Sequence, residues 1–143
     1  MKLHYYLIAG ALAFSACTSN TPITENGKDL QAQNGTENSV KTIKSQEVKA
    51  LVEAEQDLLI LDVRTPEEYA SGHLQNALLL NKNDAAFEAK IGELDRNKTY
   101  MVYCAKGGRS ADAARIMKEL GFTKIYDATE GFESLKQAGI SVE

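Results

Sequence analysis

The residues most able to do chemistry crowd into one run, Tyr103-Cys104-Ala105-Lys106-Gly107-Gly108-Arg109-Ser110. A thiol, two cations and two adjacent glycines fall within eight residues. Gly107 and Gly108 can take positive φ, and with no Cβ in the way successive backbone amides can converge on one point. Lys106 and Arg109 add fixed positive charge beside that point. Each of these features stabilises an anion, so Cys104 is expected to be largely thiolate, the reactive form of the residue. The rest of the loop, Ala105 to Ser110, becomes the candidate binding site for a small anionic substrate. The chain has 2 cysteines, Cys17 and Cys104, and neither sits in a Cys-x-x-Cys or Cys/His cluster. That argues against a metal site and against a disulfide framework, and no cofactor is expected.

A loop can hold such a geometry only if rigid elements present it. Leu58-Leu59-Ile60-Leu61 and Tyr100-Met101-Val102-Tyr103 are continuous apolar runs, as parallel strands covered on both faces should be. Ala77-Leu78-Leu79-Leu80 and Lys124-Ile125-Tyr126 read as two further strands. Helix signals lie between them. Ser45 is a candidate N-cap before Val48, Leu51 and Val52; Thr65-Pro66-Glu67-Glu68 is a capping box with Pro first; Asp84 precedes Phe87, Ile91 and Leu94; and Ser110 to Leu120 is closed by Gly121. This alternation predicts an α/β domain with a central, mainly parallel sheet and helices on both faces. In such sheets chemistry gathers at the carboxyl ends of strands, which is where Cys104 falls.

Cys104-Ala105-Lys106-Gly107-Gly108-Arg109 resembles the six-residue active-site loop of single-domain rhodaneses, a Cys-x-x-Gly-x-Arg cradle that carries a persulfide. A second block agrees with the first. Leu61-Asp62-Val63-Arg64-Thr65-Pro66-Glu67-Glu68-Tyr69, then Gly72-His73-Leu74 and Asn76-Ala77, is similar to the family's Asp-Val-Arg…Glu-Tyr…Gly-His-Ile…Gly-Ala signature. The resemblance runs from about Val40 to the C-terminus. It departs where rhodaneses carry Gly-Gly and then Trp: here the residues are Glu130-Gly131-Phe132 followed by Leu135, positions expected to pack beside the active-site loop.

The resemblance implies a rhodanese-like domain and a double-displacement sulfur transfer. Cys104 would take the outer sulfur of a small anionic donor such as thiosulfate, hold it as a persulfide, and yield it to a thiol or cyanide acceptor. Ala105, Lys106, Gly107, Gly108, Arg109 and Ser110 would bind the donor. Asp62 and Arg64 are expected to pin the loop that follows the first predicted strand, and His73 to be structural. Other chemistries compete. A phosphatase or arsenate reductase of similar design would need five residues between Cys and Arg, and here there are four. A noncatalytic binding module of the family typically lacks the cysteine. A peroxide-sensing or persulfide-carrying thiol stays open, because Cys104 could also cycle through a sulfenic acid.

The rest of the chain is organised differently. Of its 143 residues 43% are apolar, but 13 of these lie in the first 17, 3 in the next 22 and the remainder in the last 104. Residues 1–17 place Lys2 before an apolar run from Tyr5 to Phe14, then Ser15, Ala16 and Cys17, the layout of an export signal. Phe14-Ser15-Ala16-Cys17 resembles a bacterial lipobox, so Cys17 is the candidate lipidation site. Residues 18–39 are polar and read as a disordered tether with a reach of roughly 25 Å. Residues 40–143 are long enough for one core and too short for two. The reading is thus of an exported lipoprotein held at the membrane by its N-terminal anchor and facing the periplasm, with Thr18 hinting at the outer membrane. A monomer is expected. With 16 basic against 20 acidic side chains, net −4, the chain has no electrostatic reason to bind nucleic acid.

Overall fold

Apolar runs that are long enough for a strand and too short for a helix build the centre of the molecule. The computed structural model describes residues 38–143; the signal-like run, Cys17 and the polar segment up to residue 37 lie outside the described residues. Five strands, β1 (Ser39–Ile43), β2 (Leu59–Asp62), β3 (Leu78–Leu79), β4 (Thr99–Tyr103) and β5 (Lys124–Ala128), form one sheet in the order β1-β5-β4-β2-β3. Every neighbouring pair is parallel. Five helices connect them: α1 (Ser45–Ala54), α2 (Pro66–Ala70), α3 (Phe87–Gly92), α4 (Gly108–Glu119) and α5 (Phe132–Gln137).

The pleat of β4 divides the core in two. Tyr100, Val102 and the following Cys104 point into a cluster with Phe87 and Ile91 of α3 and Ala113 and Met117 of α4. Met101 and Tyr103 point the other way, onto Val48 of α1 and Phe132 and Leu135 of α5. Helices therefore cover both faces, and β4 is apolar from Tyr100 to Tyr103, where neither side meets water. Among the described residues no helix is long and apolar enough to cross a membrane.

Element ends follow local chemistry, with some departures from the sequence expectation. The α2 capping box forms as read: the Glu68 N–H donates to Thr65 Oγ1 at 3.3 Å and the Thr65 N–H to Glu68 Oε2 at 3.0 Å. Ser45 is the first helical residue of α1 and not its cap, because Lys44 takes the extended cap conformation. Asp84 sits before α3 but spends its Oδ1 on the Ala86 N–H at 2.9 Å, so the helix starts later, at Phe87. Helix α4 begins two residues before Ser110. β1 has no counterpart in the sequence reading. It is an edge strand, mostly exposed, and pairing in register with Lys124–Ala128 draws in Ser39, the last residue of the polar segment.

One polar group in this core is poorly served. Asp127 of β5 is 3% exposed, and its Oδ1 has no hydrogen-bond partner among the described residues. Burial pushes its acid upward, an effect partly offset by the Ser110 hydroxyl. The unfolded chain therefore ionises first as pH rises. The folded state pays a penalty that is absent below the ordinary aspartate value and fully developed once pH passes the raised one. Asp127→Asn should accordingly stabilise the domain by about 1 kcal/mol at pH 7, with the gain vanishing toward pH 3, as read from urea unfolding at both pH values.

Candidate functional site

Cys104 follows directly on β4, and α4 starts four residues later at Gly108. The chain must turn from strand to helix within Cys104–Gly107, and Gly107 makes that turn with φ +89°. The turn brings the Gly107 N–H to within 3.0 Å of Cys104 Sγ, where it donates to the sulfur. The Gly107 carbonyl is held in turn by the Ser110 hydroxyl at 3.0 Å and the Ala111 N–H at 3.1 Å. Of the two glycines free to take positive φ only Gly107 does so, while Gly108 is helical and opens α4.

A second loop backs the first. The Phe132 N–H donates to the Cys104 carbonyl at 2.9 Å. A Cβ on Gly131, whose φ is +84°, would lie 2.1 Å from the Ala105 carbonyl oxygen; a Cβ on Gly107 would lie 2.1 Å from that of Thr129. The two connections touch backbone to backbone. The expectation that Glu130-Gly131-Phe132 packs beside the active-site loop thus matches the geometry.

The end of β2 supplies a buried polar lattice. Arg64 donates to both oxygens of Asp62, at 2.6 to 3.0 Å, and to the Gly72 carbonyl at 2.8 Å. The Tyr103 hydroxyl donates to Asp62 Oδ2 at 2.6 Å and accepts the Leu74 N–H at 3.1 Å. Burial, reinforced by the bond to Asp62, pushes the Tyr103 phenol up, so it stays a donor. The Arg64 guanidinium lies 4.1 Å from the centroid of the Phe132 ring. Asp62 and Arg64 pin the chain, as expected. His73 is likewise engaged structurally: its ring stacks on Tyr69 at 3.6 Å and faces Glu143 at 3.5 Å.

Glu68, Cys104, Ala105, Lys106, Gly108 and Arg109 line an open depression of about 410 Å³. Cys104, which helps line the depression, is 1% exposed. Lys106 is exposed at the rim. Arg109 binds Glu68 through two parallel bonds, of 2.7 and 2.8 Å. That Arg109 hydrogen bond holds the Glu68 carboxyl at about 2, well below the usual carboxylate range, so Glu68 is charged at any physiological pH. In the sequence Glu68 shows itself as a helix cap and as part of the Glu-Tyr signature block. Nothing in the local pattern points to its partner 41 residues away. Ala105 and Ser110 also belong to the site region, Ala105 as lining and Ser110 as the buried clasp on Gly107.

The description "Rhodanese-like domain" applies to residues 44–138, matched by that family's model. The chain belongs to the rhodanese-like family. Among curated relatives of this rhodanese-like chain, the putative sulfur carrier protein YrkF of Bacillus subtilis is 33% identical over 93 residues, 65% of this chain and 49% of YrkF. The chain thus spans about half the length of that relative. Thiosulfate sulfurtransferase GlpE of Coxiella burnetii is 35% identical over 80 residues, 56% of this chain and 73% of GlpE. The crystal structure of a rhodanese-related protein from Thermoplasma volcanium superposes with a TM-score of 0.63 at 29% identity, covering 72% of this chain and 97% of that one.

The interlocked loops of this rhodanese-like domain make a sharp expectation. Gly131→Ala should destabilise it by roughly 3 kcal/mol, since positive φ and a backbone clash add. Gly108→Ala, whose Cβ would meet nothing within 4 Å, should stay within about 1 kcal/mol of the parent in the same urea unfolding experiment.

Proposed function

We propose that the protein is a sulfurtransferase of the thiosulfate type, working through a persulfide on Cys104. The observation that carries this reading is the Gly107 N–H aimed at Cys104 Sγ at 3.0 Å in a depression that Lys106 and Arg109 also line. An N–H donated to sulfur favours negative charge there, and the thiolate is the nucleophile. The Cys104 thiolate attacks the outer sulfur of thiosulfate. A new S–S bond forms, the sulfur–sulfur bond of the donor breaks, and its electron pair leaves with sulfite. A thiol or cyanide acceptor then attacks the outer sulfur of the persulfide and returns Cys104 to the thiolate. Written from the thiolate, the scheme calls for no general base beside Cys104.

Loop amides at Ala105–Ser110 and the side chains of Lys106 and Arg109 bind the donor and stabilise the persulfide anion in this scheme. The name of GlpE, a thiosulfate sulfurtransferase, supports the donor class. That of YrkF supports a second reading, in which Cys104 carries sulfur without fast turnover. Residues 1–17 support a further proposal, that the chain is exported, lipidated at Cys17 and held at a periplasmic membrane face as a monomer.

Intact-protein mass spectrometry after thiosulfate should show the gain of one sulfur atom. The gain should disappear on adding cyanide and be absent in Cys104→Ser. A protein whose mass thiosulfate leaves unchanged, while peroxide oxidises Cys104 stoichiometrically, would be a thiol sensor instead.

A further inference from the structure

Residues on both sides of Glu130 press on the Cys104–Gly107 turn. The Thr129 carbonyl lies where a Cβ on Gly107 would go, and Gly131 lies against the Ala105 carbonyl and the Lys106 nitrogen. Such contact restrains the turn only as firmly as the connection from β5 to α5 is held from outside. Glu130 supplies a hold. Its Oε2 accepts the Ser45 N–H at 2.8 Å, 85 residues away in the chain and at the first residue of α1. Lys44, the N-cap residue of that 10-residue helix, makes no side-chain cap bond, so an N–H at the positive helix end is left for Glu130 to take. The Ser45 N–H in turn holds the Glu130 carboxyl below the usual carboxylate range, which keeps it charged at neutral pH. Lys44 Nζ lies 3.6 Å from Glu130 Oε1, but with the two side chains 66% and 38% exposed that pair contributes little. The tie is the hydrogen bond, and it depends on the reach of the side chain.

We propose that Glu130 is a positioning residue for Cys104: it clamps the β5–α5 connection to the start of α1, and the clamped connection keeps the Gly107 N–H on the sulfur. This deepens the sulfur-transfer reading and rests on it for the chemistry the thiolate performs. Glu130 does not line the depression that holds Cys104; it faces a separate cleft with Lys44 and Ser45. It acts through backbone, by way of Gly131 on Ala105, Thr129 on Gly107 and the Phe132 N–H on the Cys104 carbonyl. The first glycine of the Gly-Gly pair in the rhodanese pattern is Glu130 in this chain, so the clamp comes from this chain's own sequence.

Two substitutions separate reach from charge. Glu130→Asp keeps the carboxylate but is one methylene shorter, and cannot reach the Ser45 N–H without moving the connection. Glu130→Gln keeps the length and an acceptor oxygen but loses the charge. Both leave in place Lys106, Arg109 and Glu68, the charged groups beside the thiol. In the full-length protein, alkylation of Cys104 by iodoacetamide, a neutral reagent, is followed across pH by peptide mass spectrometry, with urea unfolding alongside. Glu130→Asp should move the alkylation midpoint up by about one pH unit, as expected for weakening one N–H bond to a charged atom, and Glu130→Gln should stay close to the parent. A carboxylate acting through charge alone gives the reverse, with Glu130→Gln lowering the midpoint and Glu130→Asp leaving it unmoved. A carboxylate that serves only α1 lowers the urea stability of Glu130→Asp with the alkylation profile unmoved. Either result overturns the proposal. Thiosulfate loading of the unsubstituted protein answers separately for the chemistry: no sulfur gained at Cys104 overturns sulfur transfer, while the alkylation profile still decides whether Glu130 positions the thiolate.

Discussion

Two stretches of backbone meet where no side chain fits between them. Ala105 and Lys106 on one side and Gly131 on the other approach so closely that a single methyl at position 131 would overlap the Ala105 carbonyl. Gly107 meets Thr129 in the same way. This double contact gives the Cys104–Gly107 turn a wall to be built against, with the Phe132 N–H tying down the Cys104 carbonyl. A loop of four residues could otherwise sample many conformations. The Gly107 N–H reaches the sulfur because the neighbouring connection restrains the turn.

The polar lattice at the end of β2 carries the same rigidity deeper. Asp62 collects Arg64 and Tyr103, Tyr103 immediately precedes Cys104, and Arg64 lies over the ring of Phe132. Both connections that shape the site are thus fastened to one buried ion pair. A lone buried charge would be strongly unfavourable, but each partner here is satisfied by several hydrogen bonds. The two sequence blocks noted at the start, around Asp62 and around Cys104, are far apart in the chain and adjacent in space. They answer to one physical requirement, which is to hold the carboxyl ends of β2 and β4 still beneath the turn.

Much of this was legible in the sequence. The sheet strands β2 and β4 announce themselves as unbroken apolar runs, the α2 capping box is local chemistry, and the strand-to-helix turn at Cys104–Gly107 is marked by its glycines. What was hidden depends on distance in the chain. The Glu68 to Arg109 pair spans 41 residues, and no local pattern separates a capping glutamate from one that also neutralises a cation. β1 was hidden for another reason: an exposed edge strand need not be apolar, so Ser39 reads as linker and Lys41 and Thr42 carry no strand signal until β5 lies alongside. Gly108 was free to be a second left-handed position, yet one such residue suffices for the turn and the other simply starts a helix.

The central claim is that a loop already in its working shape receives the sulfur. A crystal structure of the protein after loading with a sulfane donor tests this most directly. It should show one additional atom bonded to Cys104 Sγ, lying within hydrogen-bond distance of the loop amides, with the backbone of residues 104–109 superposing on its unloaded position. A loaded structure in which that backbone has rearranged, or in which the added sulfur points away from the amides, would contradict the account.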